Sequence, residues 1–427
     1  MSGARNVLVL CIDDLNDWTG YLGGYPGVQT PDMDALAAES TAYQRAYCSA
    51  PACLPSRASV IWNRRPDATG LDAQDAAVRD GATYASLVSD IETSLPGQMA
   101  ALGYETISAG KVTHEVEAQL WDVVGPTAAI RDLRDETSAA YRSSGYDYGP
   151  IPDDRPHPDQ LVADWASDLL VQGRGQPFLC MIGMSQPHVP WRLPAWNFEQ
   201  YPLDDVVVPT SPPGDLDDVP PAGLELIGPS PGTPDVTDER IEASGRRAEV
   251  VRAYLAATTH TDAMVGQILD ALARSRHADD TTVVLWSDHG FHLGEKLHWG
   301  KRTVWERATR VPFLIRDPDL KAGDIEAPVS LLDLAPTVLD LAGGTPPPSW
   351  DGRSLVDFDE SQAADRPALM FWEGHRSIRS EQWRYTRYAD GGEELYALDA
   401  DPDELTNLAD EAAHADTVAR LAGQLPA

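Results

Sequence analysis

Three uninterrupted apolar segments stand out along the chain, and polar residues follow each of them at once. They span residues 7–12, 178–184 and 282–286. Because an apolar run without alternation is typical of a strand covered on both faces, these segments predict buried strands of a parallel sheet. Helical patterns lie between them, and the clearest covers about residues 246–274. This order predicts an α/β fold with a mostly parallel central sheet flanked by helices.

Two changes of composition predict where this pattern is interrupted. Residues 202–234 contain nine prolines and many aspartates, which predicts a surface excursion over 202–240 rather than a core element. A linker between two domains is the alternative. Beyond residue 345 the pattern becomes β-like. The sequence therefore predicts a large α/β domain over 1–345 and a small C-terminal α+β subdomain with an antiparallel sheet over 346–427.

The charge of the chain limits its partners. It has 67 acidic and 33 basic residues, and its net charge is −34. Such a field repels nucleic-acid phosphates and anionic membrane surfaces, so neither is an expected partner. Lysine occurs only at positions 111, 296, 301 and 321. Nothing in the composition indicates an oligomeric state.

Features of the N-terminus and of the cysteines bear on the compartment. The first apolar segment is too short for the apolar region of a signal peptide and has no small-residue cleavage site. No stretch approaches the roughly 20 apolar residues of a membrane helix. Four cysteines in 427 residues do not form a disulfide framework, and a reducing compartment is the simpler interpretation. The expectation is a cytoplasmic protein.

Acidic residues at the ends of two predicted strands form a candidate metal site. Asp13 and Asp14 follow the first strand, and Asp288 and His289 follow the third. Ligands of such sheets bind beyond the carboxyl ends of the strands. Carboxylate oxygens suit Ca²⁺, Mg²⁺ or Mn²⁺ better than a metal that prefers thiolates. Adjacent aspartates are also common as helix caps, which is the alternative for Asp13 and Asp14.

The segment Cys53-Leu54-Pro55-Ser56-Arg57 is the sharpest chemical signal. Pro55 near the start of a helical run marks a helix entry. Cys53 would then lie beside a helix N-terminus, where anionic groups are favoured. Arg57 follows one turn later, and its guanidinium can hold an oxyanion. A small buried cysteine before an ordinary helix is the alternative.

These residues resemble the C-x-P-S-R core of the sulfatases, within the alkaline phosphatase superfamily, and the chain is most similar to the iduronate-2-sulfatase-like branch. The resemblance spans nearly the whole chain. It includes further segments in family order: 6–14, 29–37, 45–48, 110–114, 186–191, 287–290, 293–295, 298–301, 310–312 and 394–409.

The resemblance implies a sulfuric ester hydrolase with a specific site. Cys53 would be converted to formylglycine by the formylglycine-generating enzyme, and its hydrated gem-diol would attack the sulfur. The resemblance also implies a Ca²⁺, with Mg²⁺ or Mn²⁺ as alternatives, held by Asp13, Asp14, Asp288, His289 and the modified Cys53. The remaining implied catalytic residues would steady the nucleophile, hold the sulfate oxygens or protonate the leaving oxygen: Arg57, Lys111, His114, His188 and Lys301. The implied substrate is a small sulfated alcohol or sugar.

The match to the family is incomplete just after the cysteine motif. Trp62 and Asn63 stand where the family has Thr and Gly, and Leu54 is bulkier than the usual residue. Two other functions stay open. One is a phosphate or phosphonate ester hydrolase of the same superfamily, because its in-line transfer has similar metal needs. The other is a non-catalytic anion-binding protein with an unmodified Cys53.

Overall fold

The computed structural model of the protein describes residues 5–73, 81–115, 117–152, 154–229, 233–358, 360 and 366–426. Its strands are, in chain order, β1 (Asn6–Ile12), β2 (Thr41–Tyr43), β3 (Ala46–Tyr47), β4 (Glu105–Gly110), β5 (Val123–Val124), β6 (Tyr148–Pro150), β7 (Phe178–Met184), β8 (Trp191–Leu193), β9 (Thr281–Ser287), β10 (His292–Leu293), β11 (Trp299–Gly300), β12 (Arg310–Val311), β13 (Phe313–Arg316), β14 (Gly323–Ile325), β15 (Val329–Ser330), β16 (Ala368–Trp372), β17 (His375–Arg379), β18 (Trp383–Arg387) and β19 (Glu393–Ala397).

The α-helices lie between and after these strands. They are α1 (Pro31–Ala38), α2 (Cys53–Trp62), α3 (Pro66–Thr69), α4 (Gly81–Ser89), α5 (Leu95–Ala101), α6 (Ala139–Ser144), α7 (Pro158–Gln172), α8 (Ala195–Glu199), α9 (Pro221–Leu224), α10 (Asp238–Ser244), α11 (Arg247–Ala273), α12 (Glu306–Thr309), α13 (Leu334–Leu341) and α14 (Ala415–Ala422). Short 3₁₀ helices occur at Ala118–Leu120, Ile130–Leu133, Leu203–Asp205, Glu295–Leu297, Leu331–Asp333 and Ala412–His414.

An eight-stranded sheet forms the centre of the molecule, with strand order β14-β2-β13-β9-β1-β7-β4-β5. Strands β9, β1, β7, β4 and β5 are parallel to one another, and β13 runs antiparallel to both of its neighbours. In the register at the centre, Leu10 of β1 lies between Ile182 and Leu285. The predicted α/β fold with a mostly parallel sheet is confirmed.

Both faces of the sheet are covered, which explains the uninterrupted apolar runs. Successive side chains of a strand point to opposite faces. Leu8 and Leu10 belong to an apolar cluster that includes residues of α7 and α11. Val7 and Val9 belong to a second cluster that includes residues of α2 and α13. Every residue of β1, β7 and β9 is buried.

The segments outside this sheet follow the sequence pattern in most respects. The predicted helix over about 246–274 is α11, of 27 residues. The described parts of the Pro/Asp-rich excursion, up to residue 229 and from residue 233 to the start of α10, contain two short helices, Leu203–Asp205 and α9. The predicted antiparallel sheet of the C-terminal part has four strands, in the order β16, β17, β18 and β19.

Two further observations concern the membrane and the cysteines. Among the described helices, none combines the length and the apolar character that crossing a bilayer requires. Cys11, Cys48, Cys53 and Cys180 are all buried and none is in a disulfide.

Candidate active site

The carboxyl ends of four adjacent strands supply the polar residues of one cluster. Asp13 and Asp14 follow β1, and Asp288 and His289 follow β9, its neighbour on one side. On the other side, β7 leads into the turn that carries His188, and β4 leads directly into Lys111. Because parallel strands end at the same edge, segments far apart in sequence meet here.

Two glycines allow the ends of β4 and β7 to approach closely. A Cβ at Gly110, which has φ +71°, would lie 1.9 Å from the carbonyl oxygen of Gly183. A Cβ at Gly183 would lie 2.1 Å from the carbonyl oxygen of Lys111. Any larger residue at either position would therefore push these strand ends apart and displace Lys111.

Helix α2 brings Cys53 to the same edge. Cys53 is the first residue of the helix, and all ten residues of α2 are buried. Pro55 lies in the first turn, as the sequence predicts. Ser56 Oγ donates a hydrogen bond of 2.5 Å to the carbonyl oxygen of Asp288, which ties the helix to the end of β9.

The Cys53 thiol is surrounded by cationic groups. Its Sγ lies 3.0 Å from Lys301 Nζ, 3.3 Å from His289 Nε2 and 3.7 Å from Lys111 Nζ. Burial disfavours the thiolate, but Lys111, Lys301 and His289 outweigh it, and the pKa of Cys53 is held well below its ordinary value. An anion is therefore stabilised at the position of Sγ.

Arg57 forms its hydrogen bonds and ion pairs with other groups of the protein. Its side chain is 1% exposed, and its Nε donates to Asp288 Oδ2 at 2.7 Å. A terminal nitrogen also lies 3.5 Å from Asp13 Oδ1. Its remaining hydrogen bonds go to the backbone carbonyl oxygens of Ile12, Lys111 and Val112. These contacts join the ends of β1, β4 and β9 around α2.

The carboxylates beside Cys53 include donor atoms that the protein leaves without a hydrogen bond. Among the described residues, Asp13 Oδ1 and Asp14 Oδ2 are buried and have no hydrogen-bond partner. Ligand atoms of Asp13, Cys53, Asp288 and His289 all lie within 4.8 Å of one another, and so do those of Asp13, Asp14, Cys53 and His188. Such unsatisfied oxygens are costly unless a cation or water binds them. The donor set fits a divalent metal that prefers oxygen ligands.

The orientation of His289 suits the same interpretation. Its Nδ1 lies 3.0 Å from the carbonyl oxygen of Gly290. A carbonyl only accepts, so Nδ1 carries the proton in the neutral ring, and the lone pair of Nε2 faces Cys53 and the carboxylates. Without a metal, Asp288 overcomes the effect of burial and raises the pKa of His289 to about 9. Burial also raises the pKa of Asp288 to about 6.

Asp14 has a backbone conformation that is unusual for a residue with a side chain. Its φ is +65°, in the left-handed region. Tyr254 Oη donates a 2.7 Å hydrogen bond to the carbonyl oxygen of Asp14, and it accepts one of 3.0 Å from the backbone N–H of Asn16. Strain of this kind persists where surrounding contacts over-determine it, and it is frequent at functional sites.

Two cavities open onto this cluster. The larger, of about 570 Å³, is lined by Asp14, Cys53 and Lys301. The smaller, of about 310 Å³, is lined by Asp13 and Lys111. Both are lined by His114 and His188. The structure therefore brings together every residue that the sequence analysis assigned to the site.

His188 is held with one ring nitrogen towards the protein. Its Nδ1 lies 2.6 Å from the carbonyl oxygen of Val189, so Nδ1 carries the proton in the neutral ring. The ring is half-buried in the cavity wall, which leaves Nε2 as its site for proton exchange.

Three residues that support the site were not found from the sequence. They are Tyr254, described above, His298 and Asp159. His298 Nε2 lies 2.9 Å from the carbonyl oxygen of Lys301. Asp159 is buried and accepts hydrogen bonds of 2.9 Å from the backbone N–H groups of Ser185 and Gln186, in the turn that carries His188. Each acts through a backbone contact, for which a single sequence gives no signal.

Comparison with known proteins identifies the family. The sulfatase family model matches residues 5–344, and that of the N-sulphoglucosamine sulphohydrolase C-terminal family matches 294–427. The chain belongs to the sulfatase family. Members of this family are sulfuric ester hydrolases, so this sulfatase is an enzyme of that class.

Three relatives illustrate the match. A sulfatase of Formosa agariphila is 32% identical, over 99% of this chain and 86% of its own length. A choline-sulfatase of Rhizobium meliloti is 29% identical, over 96% of this chain and 83% of its own. An iduronate 2-sulfatase of Mus musculus is 28% identical, over 81% of this chain and 70% of its own length. The resemblance to the iduronate-2-sulfatase-like branch is thus confirmed.

The fold has a solved counterpart. The phosphonate monoester hydrolase of Silicibacter pomeroyi superposes with a TM-score of 0.77 at 22% identity, and the match covers 98% of this chain and 94% of that one. This likeness concerns the fold alone.

Proposed function

We propose that this sulfatase cleaves a sulfate monoester through a formylglycine formed from Cys53, with a divalent metal at the neighbouring carboxylates. One observation carries the proposal. The Sγ of Cys53 lies within 4 Å of Lys111, Lys301 and His289, beside two buried carboxylate oxygens that have no hydrogen-bond partner among the described residues.

The metal would be held by Asp13, Asp14, Asp288 and His289, and Ca²⁺ suits this oxygen-rich set best. When bound, it would act as a Lewis acid that lowers the pKa of the nucleophile and neutralises charge on the sulfate oxygens. Nucleophilic attack, proton transfer and binding of the sulfate oxygens are assigned to residues of the chain.

The reaction would take place in two steps. In the first, one hydroxyl of the formylglycine gem-diol gives its proton to water, its oxygen attacks the sulfur, and the bond between sulfur and the alcohol oxygen breaks. His188, which has taken up a proton from water on Nε2, gives this proton to the departing alcohol oxygen. In the second, the remaining hydroxyl gives its proton back to Nε2 of His188, the bond between carbon and the sulfate oxygen breaks, and sulfate and the aldehyde are released. Water then rehydrates the aldehyde.

The cations have separable roles in this scheme. Lys111 and Lys301 both lie within 4 Å of the Cys53 Sγ and line different cavities, so both can contact sulfate oxygens. Arg57 makes its contacts with Asp288, Asp13 and backbone carbonyls. We therefore assign Arg57 the task of holding the carboxylates and α2 in place, while the two lysines face the substrate.

The first test is mass spectrometry of the tryptic peptide Ala46–Arg57. Protein from a host with the formylglycine-generating enzyme should carry an aldehyde at residue 53, and protein from a host without it should carry a thiol. Cys48 lies in the same peptide and serves as the internal control, because it should be a thiol in both. An unmodified Cys53 from the first host contradicts the proposal.

The second test is activity against matched aryl sulfate and aryl phosphonate esters. The converted protein should hydrolyse the sulfate, lose that activity on removal of divalent metal and regain it with Ca²⁺. Cys53→Ser should be inactive. A preference for the phosphonate would make the enzyme a phosphonate ester hydrolase, and turnover that survives thorough chelation would overturn the role of the metal.

A further inference from the structure

The walls of the larger cavity carry mostly positive charge. Beyond the cluster around Cys53, its charged lining residues are Arg131, Arg134, Glu136 and Arg302. This local excess of arginine stands out in a chain whose net charge is −34. A surface that opposes the overall field attracts anions towards the site at which it lies.

Arg131 is the arginine that the two cavities share. It lines both cavities, as His114 and His188 do. It belongs to the 3₁₀ helix Ile130–Leu133, whose ends are fixed because Ile130 and Leu133 are 4% and 5% exposed. The Arg131 side chain itself is exposed. Within the described parts of the chain, its guanidinium makes no ion pair.

The neighbouring residues leave little in this wall that would attract a cation. Arg134 lies 3.5 Å from Glu136 in an ion pair. Its guanidinium also lies 5.9 Å from the centre of the Tyr141 ring. Cations bind through carboxylates or open aromatic faces, and Arg134 already contacts both of these groups.

Arg302 adds a third guanidinium at a fixed position. It follows Lys301 directly, has φ +77°, and its backbone N–H donates to the carbonyl oxygen of Pro51 at 3.0 Å. Its guanidinium lies 6.0 Å from the ring of Trp372, a residue that is 1% exposed. The cavity lining therefore receives arginines from two separate segments of the chain, 131–134 and 302.

We propose that the organic part of the substrate carries a second anionic group, a carboxylate or a further sulfate, which binds Arg131 with Arg134 beside it. This inference rests on the proposed hydrolysis of a sulfate ester. A guanidinium pairs with either group through two parallel hydrogen bonds. A volume of about 570 Å³ has room for an organic group of sugar size next to the sulfate.

The inference distinguishes this enzyme from one relative. The Rhizobium meliloti protein is a choline-sulfatase, and choline is a cation. A trimethylammonium group in this cavity would face three arginines. We therefore expect this sulfatase to disfavour cationic sulfate esters and to prefer anionic ones.

The test uses aryl sulfates that differ only in one ring substituent: carboxylate, carboxamide, a second sulfate or trimethylammonium. Because substituents also change the acidity of the leaving group, the decisive quantity is the change in a kcat/KM ratio between protein variants. Arg131→Gln should lower the carboxylate-to-carboxamide ratio about tenfold, the effect of one charge-assisted pair. Arg131→Glu should raise the ratio of trimethylammonium to carboxamide.

Arg274→Gln is the matched control. It removes the same charge at the C-terminal end of α11, beside the opposite edge of the sheet, and Arg274 is also exposed. It should leave both ratios unchanged. The disulfate and carboxylate arms show which anion the wall prefers.

The outcomes separate this inference from the proposed function. If sulfate esters are hydrolysed but Arg131→Gln leaves the ratios unchanged, the second anionic group is ruled out and the hydrolase function stands. If no sulfate ester is hydrolysed, the proposed function fails. Equilibrium binding of the carboxylate and carboxamide compounds then decides: tighter binding of the carboxylate that Arg131→Gln abolishes supports an anion site at the arginine wall, and equal binding of the two compounds overturns it.

Discussion

The hydroxyl of Tyr254, in the N-terminal third of α11, donates a 2.7 Å hydrogen bond to the backbone carbonyl of Asp14. This contact joins the longest helix of the structure to the strained residue at the end of β1. It holds the Asp14 backbone in the left-handed region and so fixes the direction of a carboxylate that faces Cys53 and Lys301.

Tyr254→Phe should therefore weaken the metal site. Outer partners of this kind typically change metal affinity or activity by about 10- to 100-fold. We expect a rise in the Ca²⁺ concentration needed for half-maximal activity, of about tenfold or more. Tyr201→Phe is the control, because Tyr201 Oη also bonds residues of α11 and the backbone but lies away from the cluster. Both variants should lose about 1–3 kcal/mol of stability, and an equal change in Ca²⁺ dependence would contradict the role given to Tyr254.

Lys301→Met should raise the pKa of Cys53 in the unconverted protein. Lys301 Nζ is 3.0 Å from Sγ, and removal of a cation disfavours the thiolate. The measurement is ultraviolet thiolate absorbance against pH, with Cys53→Ser as the blank. Burial raises the pKa of the other three cysteines, so they stay protonated over the range.

The expected result is an inflection displaced to higher pH. Lys321→Met is the matched control, because this lysine is exposed and should leave the inflection in place. An unchanged or lower inflection in Lys301→Met would show that the ammonium does not stabilise the thiolate.

Asn63 should tolerate glycine better than alanine. It caps the C-terminal end of α2 with φ +50°. Its side chain accepts a hydrogen bond of 2.8 Å from the Gly352 N–H and donates one of 2.5 Å to the carbonyl oxygen of Leu332. Asn63→Gly loses these bonds, at about 1 kcal/mol each. Asn63→Ala loses them too and adds about 1–2 kcal/mol of left-handed strain. Urea denaturation measures both, and equal losses would argue against backbone strain at this cap.

Protonation of His260 should destabilise the folded protein below pH 6.5. Burial lowers the pKa of His260 to about 4, and its ring centre lies 4.3 Å from that of His157. Between pH 6.5 and 4, His260 is therefore protonated in the unfolded chain but neutral in the folded state. This residue makes stability fall with falling pH over that window, by up to about 1.4 kcal/mol per pH unit.

In His260→Phe, which cannot titrate, the free energy of unfolding should fall less steeply from pH 6.5 to 4 than in the wild type. His414→Phe is the comparison variant, because it makes the same replacement at a partly exposed histidine that has no contact with His260. Equal slopes in His260→Phe and the wild type would mean that His260 is protonated in the folded state.

The sequence predicts the fold, and it predicts that Asp13, Asp14, Asp288 and His289 share one edge of the sheet, because both predictions depend on short-range signals. The roles expected for Lys111, His114, His188 and Lys301 came from the resemblance to the sulfatases. Uninterrupted apolar runs require burial on both faces, and polar residues at their ends share one edge once the strands are parallel. The sequence does not predict which site residues form hydrogen bonds or ion pairs with one another. Those contacts depend on the register of the strands and on how closely the strand ends approach. The bonds of Arg57 to Asp288 and to the carbonyl oxygens of three other residues join segments that are distant in sequence. The contact of His298 with the Lys301 carbonyl is local, but it depends on the backbone conformation of this turn.

The departures after the cysteine motif also have a structural explanation. Asn63 occupies a left-handed helix cap, where glycine is usual and asparagine is the common substitute. Trp62 is 1% exposed, and its Nε1 donates to the carbonyl oxygen of Asp90 at 3.0 Å. Both changes lie at the far end of α2 from Cys53 and pack against the protein rather than the cavities. A pattern of residue types could not distinguish a changed cap from a changed active site.

If Cys53 is converted as proposed, the burial of α2 fixes the order of events in maturation. Cys53 is 2% exposed, and it sits in a helix whose every residue is covered. On the proposed mechanism, the converting enzyme must act before this helix packs against the sheet, because the folded chain offers it no access to the peptide. Each molecule therefore has a single interval, between synthesis and folding, in which to become active. The specific activity of a preparation would then depend on the rate of modification relative to the rate of folding. Adding the converting enzyme to already folded protein would not raise this activity.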